Sequence, residues 1–140
     1  MDPKAFLDTA RSLVSSSRES DLRTSISRSY YAVVLFYRNY FAEKLEIFPE
    51  KLNQCVHQFV PECFNGSSLT EAKKIGEKIN RSKSDRTLAD YHLSKSVSAN
   101  RAADSLESAV ELINNPISNQ VEGAILEQAR IRAKARQLIK

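Results

Sequence analysis

The sequence predicts an all-α protein: an antiparallel up-and-down helical bundle of four to five core helices followed by a C-terminal helix. Three observations predict this class. The 140 residues include only three glycines and four prolines, about 5% against about 12% in an average protein, whereas all-β folds need many turn residues. Apolar residues recur three and four positions apart along most of the chain. The interruptions between these runs are short, which favours antiparallel neighbouring helices.

The first two helices account for the first third of the chain. The first is predicted to begin at Asp2, a capping residue, and Pro3, which suits the first helical position, and to end near Val14. The second runs from about Asp21 to Leu45. Because apolar residues lie on nearly every side of the second helix, it is expected at the centre of the bundle.

The remaining elements are predicted from apolar residues at helical spacing and from the breakers between them. Pro61 is expected to end or kink the third helix at about Val60, because proline lacks the helical N–H and restricts the preceding residue. Residues 80–94 are polar, and the pattern leaves their structure open. The predicted ranges are a third helix from about Pro49, a fourth that follows the Asn65-Gly66 loop and runs from the capping box Ser68-x-x-Glu71 through Ile79, a last core helix over about residues 97–113 and a C-terminal helix over about residues 118–140.

The length of the chain is that of one domain. Residues 1–115 are expected to form the bundle, and residues 116–140 a basic C-terminal helix or arm packed on it or extending from it. Residues 128–140 hold five cations and no acid, while the whole chain has a net charge of +4, so residues 1–127 sum to −1. The tail is interpreted either as an arm for RNA or a partner, or as a solvated and frayed end.

Motif and composition patterns exclude several function classes. The three glycines lie far apart and form no G-x-G-x-x-G or Walker loop, which excludes dinucleotide-binding and P-loop chemistry. The longest apolar run, Tyr30–Tyr37, is far shorter than the roughly 18–20 residues of a membrane span. With no signal-peptide pattern, a cytoplasmic protein is expected. Cys55 and Cys63 lack zinc-site spacing, so no metal and no cofactor are expected and both thiols are interpreted as core fillers.

Two stretches of sequence carry a more specific resemblance. They are Leu22-Arg23-Thr24-Ser25-Ile26-Ser27-Arg28-Ser29-Tyr30-Tyr31-Ala32-Val33 and Asp85-Arg86-Thr87-Leu88-Ala89-Asp90-Tyr91-His92-Leu93. Together they resemble the HEPN superfamily, in particular small bacterial members with an R-x-Y-Y-A second helix and an R-x-x-A-D-Y motif before the last core helix. The resemblance extends over about residues 1–115 and implies a helical bundle that dimerises. It also implies one of two functions: a metal-independent ribonuclease of a toxin–antitoxin or phage-defence system, or a non-catalytic accessory module that binds a nucleotide or a partner protein.

For the ribonuclease alternative, the resemblance implies a catalytic pair at the dimer cleft. Nuclease members of the superfamily share an arginine, a polar residue and a histidine in the pattern R-x(4–6)-H, which Arg86, Thr87 and His92 fit. RNA supplies the 2′-hydroxyl nucleophile, so His92 would move protons near neutral pH and Arg86 would stabilise the anionic phosphorane. The implied partners are RNA, a second copy of the chain, and a nucleotidyltransferase-like antitoxin or another defence-complex subunit, with no membrane involved.

Four residues near this pair are candidate RNA- or nucleotide-binding residues: Arg28, Thr87, Asp90 and Tyr91. Structural alternatives stand beside the functional ones. Arg28 is expected either to contact phosphate or to form an ion pair with Asp90 across the bundle. Arg86 is expected either to act in the site or to form an ion pair with Asp90, four residues further along the same helix. Tyr91 stacks on a base or packs in the core. His92 is either catalytic or a solvated surface residue, because in a regular helix it lies about 240° around the axis from Arg86.

Overall fold

The computed structural model of the chain describes residues 2–140, and every regular element among them is a helix. The predicted all-α bundle class is therefore confirmed. Within residues 2–140, none of the helices combines the length and the apolar character that crossing a membrane requires. The elements are α1 (Ala5–Leu13), α2 (Glu19–Leu45), a 3₁₀ helix (Pro49–Leu52), α3 (Val56–Asn65), α4 (Thr70–Tyr91), α5 (Ala99–Asn114) and α6 (Asn119–Ala135).

The helices form two compact units. Unit 1 consists of the chain up to Phe36 together with Ile79–Asn115, and unit 2 consists of Tyr37–Lys78 together with Pro116–Lys140. Helices α2 and α4 each contribute one part to either unit, which is why α2 buries apolar side chains along its whole length.

The interior of unit 1 joins α1, α2, α4 and α5. The hydroxyl of Ser25 on α2 donates to the carbonyl of Ala10 on α1 at 2.9 Å, so a buried polar side chain links these two helices. Ser98 caps α5 by accepting a hydrogen bond from the Arg101 N–H at 3.1 Å. The apolar cluster of this unit contains Leu22, Ile26, Ala89, Val97 and Ala102, with Val14 and Leu88 packed against it.

Residues 80–94, whose structure the sequence pattern left open, continue the fourth helix. Helix α4 runs without a break to Tyr91. Polar residues dominate its second half, but Ala89 is buried and Asp85 forms an ion pair with Arg101 of α5 at 2.8 Å. Tertiary contacts on the inner side therefore stabilise this half of the helix, and such contacts leave no clear local pattern.

The interior of unit 2 is aromatic. Phe41 of α2 meets Phe59 and Phe64 of α3 edge to face, with ring centroids 5.8 and 6.1 Å apart. Helix α6 packs on α3 and forms an ion pair between Arg132 and Glu62 at 3.0 Å. The C-terminal helix is therefore docked rather than frayed, through buried residues that comprise Val121, Ile125, Leu126, Ala129 and Ala133.

Three predicted helix boundaries are wrong. The third helix does not begin near Pro49, where a separate 3₁₀ helix ends at Leu52, but at Val56. Helix α3 does not end at Val60 but continues to Asn65 with Pro61 in its interior. Buried side chains lie on both sides of this proline, so packing offsets the missing hydrogen bond. The C-terminal helix ends at Ala135 instead of reaching residue 140, and Gln137 then adopts a left-handed φ of 61°.

Candidate functional site

Arg86 is the centre of a polar and aromatic cluster between α4 and α2. Its Nη2 donates a hydrogen bond to the hydroxyl of Tyr31 at 2.7 Å. The guanidinium carbon also lies 5.2 Å from the ring centroid of Tyr31, 5.8 Å from that of Tyr30 and 5.4 Å from that of Tyr91. These distances fall within the range of cation–π contacts, so three tyrosine rings stabilise one positive charge.

Asp90 is the acidic partner of this cluster. Its Oδ2 lies 2.9 Å from Arg86 Nε, but the N–H is not directed at the oxygen, so the contact is an ion pair without a formed hydrogen bond. The same oxygen accepts a hydrogen bond from the Ser27 hydroxyl at 3.3 Å. The pairing of Arg86 with Asp90 along the helix is thus confirmed, and Arg86 is only 16% exposed in its side chain.

Arg28 does not form the expected ion pair with Asp90. Its guanidinium carbon instead lies 5.4 Å from the ring centroids of Phe6 and Tyr31. Tyr31 is therefore contacted by two arginines, Arg28 along α2 and Arg86 from α4. The reason for the difference is that Asp90 is already paired, since Arg86 is one helical turn away on the same element.

The surroundings of Arg86 keep it charged. Burial acts to lower the pKa of its guanidinium, but the nearby Tyr31, Asp90 and Tyr91 together raise that pKa by more, so the net shift is upward. Arg86 is thus a permanent cation held by Tyr31 and Asp90. Its hydrogen bond to Tyr31 connects α4 to α2.

A second feature of unit 1 is an open groove along α4, which we call the α4 groove. It has a volume of about 520 Å³. Within it the Thr87 hydroxyl donates to the Lys83 carbonyl at 3.0 Å. The groove carries amide, hydroxyl, imidazole and ammonium groups and has no carboxylate among its lining residues, which are Asn80, Lys83, Ser84, Thr87, Leu88, His92 and Lys95.

His92 is the first residue after α4 and is exposed at the end of this groove. Its backbone N–H donates to the Leu88 carbonyl at 3.0 Å, which extends the helical hydrogen bonding by one residue. Helix α4 is regular through Arg86 and up to Tyr91. His92 lies just beyond this regular segment and lines the α4 groove, whereas Arg86 is not among the residues that line it.

The predicted site residues consequently fall into two groups. The structure brings Arg86, Asp90 and Tyr91 together, with Arg28 joined to them through Tyr31. Thr87 and His92 instead line the α4 groove. Tyr91 is 67% exposed although it contacts Arg86, so it is not the core residue of the structural alternative.

Sequence reasoning missed the lysines of the groove and one partly buried arginine. Lys83 and Lys95 line the groove from α4 and from the loop that follows it. Arg23 of α2 is 12% exposed in its side chain and bonds to the end of α4. The spacing of Lys83 and Thr87, four residues apart, is a signal that could have placed them on one helix face. No local signal marks the contact of Arg23 with the end of α4, because the carbonyls that accept its hydrogen bonds there lie more than sixty residues away in the chain.

Comparisons with known proteins give no assignment. No protein-family model matches the chain, and neither a curated protein nor a solved structure is significantly similar to it. Within residues 2–140, no group of three or more His, Cys, Asp or Glu side chains is arranged to hold a metal ion.

Proposed function

We propose that this chain is a binding module for the phosphate groups of RNA or of a nucleotide, and that the α4 groove is its binding site. The observation that carries this proposal is the charge of the groove: two lysines and a histidine face it, together with hydroxyl and amide donors, and no carboxylate lines it. A site of this composition attracts anions and offers donors to phosphate oxygens.

The dimensions of the groove agree with such a ligand. Its volume of about 520 Å³ lies within the range of roughly 300–1,000 Å³ that small-molecule sites occupy. Asn80, Lys83 and Thr87 lie three and four residues apart on α4 and so share one face of the helix. Leu88 adds an apolar surface between these polar groups and His92, suited to the face of a base.

The resemblance to the HEPN superfamily supports the same proposal, since its non-catalytic members bind nucleotides or partner proteins. Binding without cleavage also agrees with the contacts of Arg86. The guanidinium group of Arg86 is hydrogen-bonded to Tyr31 and paired with Asp90 at the contact between α2 and α4. An arginine that stabilises a phosphorane must instead direct its donors at the reacting phosphate.

A metal-independent ribonuclease is the second candidate function, and the accessibility of His92 favours it. His92 is exposed beside Thr87 in the cationic groove, and an imidazole can both accept and donate a proton, as proton transfer to and from RNA oxygens requires. His92 is the one histidine that lines the groove, and a single imidazole serves one proton transfer at a time. This candidate therefore includes a homodimer in which a second copy contributes its own Arg86 and His92.

Fluorescence anisotropy with a labelled single-stranded RNA tests the binding proposal. We expect Lys83→Ala and Lys95→Ala each to weaken binding and to reduce the slope of log affinity against log salt by about 0.7, the contribution of one phosphate contact. Lys74→Ala is the matched control, because Lys74 is an exposed lysine on α4 outside the groove. Competition with ATP distinguishes the two ligand sources: displacement of RNA by low ATP concentrations indicates a nucleotide site.

The proposal is wrong if the full chain binds neither RNA nor ATP at low salt, or if the groove variants bind as well as Lys74→Ala does. Incubation of the labelled RNA in EDTA decides between the candidates. Cleavage by the unmodified chain that His92→Ala abolishes would establish the ribonuclease. RNA that stays intact while it binds is the outcome that a binding module predicts.

A further inference from the structure

Arg23 connects the second turn of α2 to the end of α4 and to the loop beyond it. Its Nη1 donates to the carbonyls of Leu88 at 3.3 Å, Ala89 at 2.9 Å and His92 at 3.4 Å. Its Nη2 donates to the carbonyl of Lys95. One side chain thus contacts the last turn of a helix and two residues of the following loop.

The chemistry of this contact suits an arginine and few other residues. The last carbonyls of a helix lack intrahelical partners and form the negative end of the helix dipole, where a cation is favourable. The guanidinium group has five N–H donors in a rigid planar fork, enough to serve several carbonyls at once. A lysine at position 23 would carry the same charge but could not bridge carbonyls spread from Leu88 to Lys95 in the same way.

Glu19 completes the arrangement one helical turn before Arg23. Its Oε1 accepts a hydrogen bond from Arg23 Nη2 at 3.2 Å and another from the backbone N–H of Val97 at 2.8 Å. Val97 is buried in the apolar cluster of unit 1. The loop of residues 92–97 is therefore fixed at its start by Arg23 and at its end by Glu19.

We infer that Arg23 is a positioning residue for the α4 groove: together with Glu19 it fixes the loop that carries His92 and Lys95 against the helix that carries Lys83 and Thr87. This inference rests on the proposed binding function of the groove. Two of the three groups in the groove that can be cationic lie on this loop. A fixed loop lets these groups meet a phosphate without the entropic penalty of ordering the loop on binding.

The first experiment measures the loop without any ligand. Backbone ¹⁵N relaxation on the full chain is expected to show ordered amides over residues 92–97, with order parameters of about 0.85. In Arg23→Ala the order parameters of these amides are expected to fall below about 0.6. Arg18→Ala is the control, because Arg18 is an exposed arginine just before α2. Loop amides that remain as rigid in Arg23→Ala as in the unmodified chain would overturn the inference.

The second experiment is a double-mutant cycle with labelled single-stranded RNA as the probe. Arg23→Ala is expected to weaken binding about 10-fold, and Lys95→Ala is expected to add little to that loss, since both act through the same loop. With Lys83→Ala, whose side chain lies on the helix, the losses should multiply. If Arg23→Ala acts by a general loss of fold, adding Lys83→Ala and adding Lys95→Ala will change its affinity for RNA by the same factor. That result would overturn the positioning role.

One further variant and one rescue measurement extend the test beyond the loss caused by Arg23→Ala. Arg23→Lys retains the charge and is expected to bind the labelled RNA as weakly as Arg23→Ala does. In a separate rescue measurement, added guanidinium chloride is expected to restore RNA binding by Arg23→Ala more than the same concentration of sodium chloride does. Binding by Arg23→Lys at the level of the unmodified chain would refute the bridging role. If the unmodified chain binds no probe but the loop still loosens in Arg23→Ala, the proposed function fails while the anchoring of the loop stands.

Discussion

The substitution Arg86→Met keeps most of the aliphatic stem of Arg86 and removes its guanidinium group. Three contacts disappear with it: the 2.7 Å hydrogen bond to Tyr31, the 2.9 Å ion pair with Asp90, and the cation–π contacts with the surrounding rings. Asp90 keeps only the Ser27 hydroxyl as a partner. The change therefore measures how much the cluster around Arg86 contributes to the free energy of unfolding.

The expected loss is about 2–3 kcal/mol. A hydrogen bond to a charged group contributes about 1.5–3 kcal/mol, and a cation–π contact at a partly exposed site about 0.5–1 kcal/mol. The ion pair adds less than about 1 kcal/mol, since both side chains remain partly exposed. These values are not additive, and the methionine side chain recovers about 1 kcal/mol by burying its own apolar surface.

Urea unfolding followed by far-UV circular dichroism measures the change. Tyr31→Phe, which removes only the hydroxyl, is expected to lose about 1.5–2 kcal/mol, the lower part of the range for a hydrogen bond to a charged group, and the double variant should lose less than the sum because the hydrogen bond is shared. Arg81→Met is the control, because Arg81 is exposed on the same helix and should change stability by less than about 0.5 kcal/mol. If Arg86→Met is no less stable than Arg81→Met, the cluster does not stabilise the fold.

Three other predictions follow from separate contacts. The hydrogen bond from the Val97 N–H, together with Arg23, lowers the pKa of Glu19, although partial desolvation opposes this shift. The ionised Glu19 side chain therefore stabilises the fold fully at pH values above its ordinary pKa of 4.5. This stabilisation is lost as the pH falls through the lower pKa of Glu19 in the folded chain. Glu19→Gln should remove this part of the pH dependence, and an unchanged acid unfolding curve would contradict the assignment. Gly123→Ala should stabilise the chain by about 0.5–1 kcal/mol because a Cβ there meets open space. Gly76→Ala should destabilise it, because the added Cβ would clash with the Asn65 side chain and lie 3.0 Å from the Phe64 Cβ. Thermal unfolding midpoints that move in the same direction would refute this contrast. Tyr40→Phe removes the 2.5 Å hydrogen bond to Glu122 and should cost about 1.5–3 kcal/mol in urea unfolding, so an unchanged midpoint would show that the bond does not stabilise unit 2.

Local patterns predicted most of the helical elements correctly. Asp2 was expected to cap the first helix, and its carboxylate accepts a hydrogen bond from the Lys4 N–H at 2.9 Å, although the helix begins at Ala5. Asn114 ends α5 as expected. The exception at Pro61 is instructive, since a rule based on neighbouring residues predicts a helix end there. Packing by Phe59, Cys63 and other buried side chains carries the helix through the proline.

The candidate site was only partly predictable. The spacing of Arg86 and Asp90 indicated their ion pair, while His92 lies just beyond the end of α4 and lines the groove. The hydrogen bond from Arg86 to Tyr31 joins residues 55 positions apart, and nothing in either local sequence shows it. The same holds for Arg23 and the loop after α4.

By itself, the sequence determined that this protein is helical and which faces of its helices are apolar, because both properties depend on residues three or four positions apart. Only the tertiary structure decided which charged side chains are occupied and which are accessible. Arg86, which has the stronger motif, is engaged by Tyr31 and Asp90, while Lys95, which belongs to no motif, is exposed and lines an open groove. The reason is that the availability of a charge depends on its neighbours in space, and these are set when distant segments of the chain pack together.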